Sequence, residues 1–203
     1  AVGGASLDAN TTGASNTGIG YSALGANTTA ADNTAVGYAA LGLNTTGTQN
    51  VAVGYGALDA NTTVHNNTAV GYASLGANTT GTQNTSVGSL SLDANTTADN
   101  NTAIGYSALT ANTTGTRNVA VGASALDANT VGDKNIAIGM DALGANVDGS
   151  RSVAVGDSAL IVQDPASAVA MYNTAVGHAA GSAVTTGTNN TFVGGLAGDA
   201  TTT

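Results

Sequence analysis

Asparagine recurs in this chain with a strict spacing. Asn16, Asn33, Asn50, Asn67, Asn84, Asn101, Asn118 and Asn135 are each 17 residues apart. Ser152 takes the next place, a unit longer by four residues follows, and register resumes at Asn173 and Asn190. A repeat this short cannot bury a hydrophobic face alone and must stack on its neighbours, so the period predicts a solenoid. A partial unit, Ala1 to Ser15, precedes the first Asn. Counting it and the truncated last unit gives twelve coils within one repeat domain, residues 1–203.

The consensus is N-T-A-V-G-Y-x-A-L-x-A-N-T-T-G-x-x, numbered here as positions one to seventeen. Position four is Val or Ile in every unit, position five is Gly, and position nine is Leu until Gly181 and Gly198 replace it. The β-branched T-A-V reads as a short strand. G-Y-x reads as a turn, because Gly reaches backbone conformations that other residues resist. A-L-x-A reads as a second short strand, and N-T-T-G as a second turn. Helix is disfavoured by Gly, Asn and Thr in every unit. The expected fold is therefore all-β, a parallel β-solenoid or β-roll. Val and Leu should point inward, with Ala at positions three, eight and eleven forming thin faces. The two Gly units should be thinner. Strands about 4.8 Å apart would give a rod of about 55–60 Å. Asn at positions one and twelve should form hydrogen-bonded ladders. The four extra residues fall within 161–172, around Pro165, the only proline, and should protrude as a candidate contact point.

Position ten carries a finer pattern. Asp59, Asp93 and Asp127 are 34 residues apart, as are Arg117 and Arg151, which points to a two-coil duplication. Alternation also keeps like charges from stacking on adjacent rungs.

Composition excludes several functions. A net charge of −9 with only three basic residues argues against nucleic acid and against an anionic membrane surface. No apolar run reaches the length of a membrane helix. Cys is absent, so disulfide and thiolate chemistry are unavailable. The only histidines, His65 and His178, lie several coils apart, and no base is placed near a nucleophile. No catalytic residue, cofactor site or metal site is expected, and the chain reads as a non-enzyme. Asp99 beside Asn100 could ligate calcium at a turn, but a solvated turn fits the pair better.

Two arrays remain as candidate surfaces. Tyr21, Tyr38, Tyr55, Tyr72 and Tyr106 share position six, as packing groups or as an aromatic stripe for a sugar or another chain. Thr28, Thr45, Thr62, Thr79, Thr96 and Thr113 share position thirteen and could order water as an ice-binding rank. Against that stands their place beside Asn and Gly, where a corner is expected.

The units "NTAVGYAALGLNTTG" and "NTAIGYSALTANTTG" and the closing "NTFVGGLAGDATTT" resemble repeats of phage tail-fibre proteins and large bacterial surface proteins. "RSVAVGDSAL" and "NIAIGMDAL" are similar, more distantly, to head repeats of trimeric autotransporter adhesins. That resemblance implies a left-handed β-roll, a homotrimer, an extracellular place on a cell or virion surface, and adhesion on the outer face, for which a host surface glycan or matrix would be the partner. The chain departs from the head pattern in its longer coils. The expected function is a rigid segment of an extracellular structural and adhesive fibre. The alternatives are a filament subunit stacking head to tail through uncapped coil ends, and the ice-binding solenoid.

Overall fold

The computed structural model describes residues 1–200; Thr201 to Thr203, in the truncated last unit, lie outside the described residues. Eleven strands of three residues, β1 (Thr17–Ile19) to β11 (Thr191–Val193), form one parallel sheet in sequence order. Equivalent positions pair without slip: Thr34 faces Val51, Ala35 faces Ala52 and Val36 faces Val53. A single bridge from Val2 to Ile19 carries the stack into the first coil. Each coil thus touches only the coil before and after it. Eleven rungs at about 4.8 Å make a sheet roughly 50 Å long.

The strand faces the opposite way from the expectation. Val at position four is not inside: Val36, Val53 and Val70 are half-buried on the outer side, while Ala35, Ala52 and Ala69 are fully buried. Alternation allows only one parity to point inward. The interior has room for a small residue there, because it already holds the large one from position nine. Leu24, Leu41, Leu58, Leu75, Leu92, Leu109, Leu126, Leu143 and Leu160 are all 0% exposed, with Ala at position eight beside them. Alanine at positions three and eight therefore lines the core instead of forming outer faces.

The second strand does not form. Positions six to eleven are a run of turns. Ala39 has φ 53° and Leu41 φ 50°, both left-handed. The left-handed conformation costs an L-residue about 1–2 kcal/mol. Burying a leucine contributes about 1.5–3 kcal/mol, enough to offset it. The turns still stack, since Leu41 N–H donates to the Ala57 carbonyl of the next coil at 3.0 Å.

Glycine at position five has φ between 125° and 141° in every coil. A Cβ on Gly37 would collide with the Gly54 carbonyl oxygen, so the coils close together through this column.

The last coils are not thinner. Phe192, the only phenylalanine, occupies position three where the other coils carry a small residue. A Cβ on Gly181 would stand 2.9 Å from its ring, and one on Gly198 would collide with it. The large core group has moved from one wall to the other. A similar local exchange places Ser74, Ser86 and Ser91 in the alanine columns, where they satisfy one another: Ser74 Oγ donates to Ser86 Oγ at 2.7 Å.

The inserted residues leave the coil after Gln163 and expose Ala166 to Val169. The chain rejoins through Ser150 N–H to the Val169 carbonyl and Met171 N–H to the Ser150 carbonyl, both 2.9 Å. Met171 then packs fully buried. Because the leucine column is the only large-residue core through most of the rod, Leu109→Ala should lower unfolding free energy by about 2–5 kcal/mol in chemical denaturation.

Candidate functional site

The turn at position six projects its side chain outward, and parallel register places equivalent side chains one rung apart. Tyr21, Tyr38, Tyr55 and Tyr72 stack with ring centroids 5.4, 5.0 and 5.4 Å apart and interplanar angles of 16°, 8° and 16°. All are exposed. Their faces, however, cover one another. Ring edges and hydroxyls are what the stripe presents, and the inner rings of Tyr38 and Tyr55 have no face free for a sugar. Tyr106 stands apart from the stack, because Ser89 holds the intervening place.

Position thirteen is a corner, as its neighbours predicted. Thr28, Thr45, Thr79 and Thr113 each donate their hydroxyl to the position-thirteen carbonyl of the following coil, at 3.2, 3.0, 3.0 and 3.1 Å. Thr96 does so more loosely, at 3.5 Å. Thr62 sits at the same corner and is exposed. The hydroxyl protons of the other five tie coils together and are not offered to solvent.

The surface that sequence reading missed is the outer side of the sheet. With alanine turned in, positions two and four turn out, and in all eleven strands they are Thr, Val or Ile. Ile19, Ile104, Ile138 and Val176 are 39–43% exposed. The result is an uncharged, β-branched strip roughly 50 Å long and about 10 Å wide. The signal lay in the T-x-V alternation itself, where either parity could have faced out.

Polar side chains at position sixteen act locally. Asp99 Oδ1 accepts from Thr82 N–H at 2.6 Å and from the Thr82 hydroxyl at 3.0 Å. Asp133 does the same for Thr116, and His65 Nδ1 accepts the Thr48 N–H at 2.9 Å. Asp99 is thus a cap for the preceding coil. His178 lies 4.0 Å from Asp157 on the surface. Among the described residues no three His, Cys, Asp or Glu side chains converge as a metal site.

An open groove of about 350 Å³ runs between Asp8 and Asp59, where Gly25 and Gly42 leave the position-ten column empty. Burial raises the carboxyl pKa of Asp59 and Asp93 above the usual value. Asp127 is raised too, chiefly by burial and further by Asp141, against backbone hydrogen bonds that lower it.

Compared with family models, curated proteins and solved structures, the chain matches none.

A raised folded pKa means that the native state holds its proton more tightly than the unfolded chain. These carboxyls favour folding below the ordinary Asp value and oppose it once pH rises through the raised one. The triple variant Asp59→Asn, Asp93→Asn, Asp127→Asn should therefore melt higher than the parent near pH 7. The difference should vanish by about pH 3, as followed by circular dichroism.

Proposed function

We propose that the chain is a rigid structural and adhesive segment of an extracellular fibre, of the kind carried on a bacterial surface or a phage tail. One observation carries this reading: an unbroken parallel stack that holds identical surface groups at one-rung spacing along a rod. Such a body performs no step of its own. It sets distance and direction, and repeated weak contacts along it add by multivalency. The resemblance of its repeats to surface-fibre and adhesin-head repeats supports the same reading.

Self-association is part of the proposal. The outer strip has an area on the order of 500 Å², at the upper end of what monomers leave exposed. It carries no charge to keep copies apart. Packing strips of several chains around a shared axis would bury it, and this replaces the alanine faces as the surface on which a homotrimer rests. The water-ordering alternative also moves. It now rests on Thr68, Thr85 and Thr102, which stand on the outer strip at position two, and not on the hydrogen-bonded corner.

Two measurements test these readings. Sedimentation at micromolar concentration should give a multiple of the chain mass, and Val70→Lys with Val121→Lys should reduce it to the monomer. A monomeric parent removes the self-association. If the strip orders water instead, the parent should show thermal hysteresis that Thr85→Lys weakens at least several-fold; no hysteresis and no shaping of ice crystals ends that alternative.

A further inference from the structure

The chain has three basic residues, and all three fall in one column. Arg117, Lys134 and Arg151 occupy position seventeen of three consecutive coils. The two-coil duplication accounts for Arg117 and Arg151 sharing a phase. It does not account for Lys134 between them. In a protein of net charge −9, placing every cation on adjacent rungs is unfavourable by mutual repulsion. Twelve aspartates were available to relieve it. Among the described residues none approaches any of the three within 4.0 Å, since the one pair at that distance is His178 with Asp157.

The column is also held rigidly. The N–H groups of Arg117, Lys134 and Arg151 donate to the carbonyls of Asp99, Thr116 and Asp133 at 3.2, 3.0 and 3.0 Å. The side chains are exposed. Asp133, beside Lys134 in sequence, turns its Oδ1 to the Thr116 N–H and hydroxyl of the preceding coil. Tyr172 continues the column. Arg151 Nη1 donates to its hydroxyl at 2.8 Å, and the guanidinium carbon lies 5.6 Å from its ring centroid. One arginine is therefore pre-positioned and one aromatic ring closes the row.

We propose that Arg117, Lys134 and Arg151, ending at Tyr172, form a binding rank for a linear anionic glycan lying along the stack axis. A polymer bearing one acidic group per sugar ring presents anions in a row, as this column presents cations in a row about 4.8 Å apart. The overall charge of −9 opposes polyanions at long range, but screening confines that field to about 10 Å, and at contact the local row of cations selects an anion whose charges follow the column. Nucleic acid fits less well, because single strands need interleaved stacking rings and the row has only Tyr172. The inference names a partner class for the adhesive reading above and rests on it only in requiring that the outer surface meet a ligand.

The test uses the whole chain with immobilised heparin and polygalacturonate, neutral dextran as blank, and single-stranded DNA as competitor. Binding to at least one acidic glycan is expected at 50 mM salt, weakening roughly tenfold or more by 200 mM as counterions compete. Sulfate against carboxylate preference follows from comparing the two glycans. The variant Arg117→Gln, Lys134→Gln, Arg151→Gln should lose about tenfold or more in affinity at 50 mM salt. Gln49 and Gln83 already hold this position with φ 60° and 59°, so the variant should keep its melting temperature. If it does not, Lys134→Gln alone and the salt dependence of the parent decide. No glycan binding at low salt, an unchanged affinity in the variant, or DNA binding as tight as the glycans overturns the proposal. Solution mass reads self-association separately and should not change in the variant.

Discussion

Two files of buried asparagine hold the coils in register. At position one, Asn50 N–H donates to Asn33 Oδ1 at 3.0 Å, and Asn50 Nδ2 donates to the Val64 carbonyl of its own coil at 2.8 Å. At position twelve, Asn44 Nδ2 donates both to Asn27 Oδ1 at 3.1 Å and to the Gly47 carbonyl at 2.9 Å. Asn33 Nδ2 reaches that same Gly47 carbonyl at 2.8 Å. One position-fifteen carbonyl thus accepts from both files, using its two lone pairs. Each bond contributes only about 1 kcal/mol net, but a buried amide left unpaired costs more than that. A slip of register would strand every amide at once, so the seam specifies alignment more than it adds stability. Among the described residues the order has two gaps: Asn61 Oδ1 and, in the last coil, Asn190 Nδ2 are buried without a partner.

The inserted coil shows how strict this seam is. Ser152 replaces an Asn in the first file and has no amide to offer. Gln163, longer by one methylene, bridges the files there. Its Nε2 donates to Asn146 Oδ1 at 3.0 Å, and its Oε1 accepts from Ser152 Oγ at 3.2 Å and Asn173 Nδ2 at 2.8 Å. The loop can bulge outside because the polar network inside is kept whole.

The period, the parallel stack, the asparagine files and the glycine column were legible in sequence, because each depends on identical residues meeting across rungs. Inside and outside of the strand were not. Residue size points to valine as the core group and alanine as the surface group, but the space is set by leucine from the opposite wall. Nor does A-L-x-A announce its turns, since leucine in a left-handed conformation is tolerated only where burial offsets the strain. Phe192 was a readable signal: the one phenylalanine arrives with the two missing leucines. For the surfaces, the tyrosine phase was visible. That the rings would consume their own faces by stacking depends on rung spacing and side-chain direction together.

The backbone ladder also has a mechanical consequence. Its hydrogen bonds run along the rod, so tension applied to the two chain ends loads one rung at a time instead of shearing all of them together. Each regular coil that peels away releases 17 residues, roughly 50 Å of slack, and the inserted coil four residues more, while the coils behind it keep their seam. The rod would lengthen in steps, equal except at the inserted coil, and rewind coil by coil when the load is removed, giving compliance to a body that is stiff at rest.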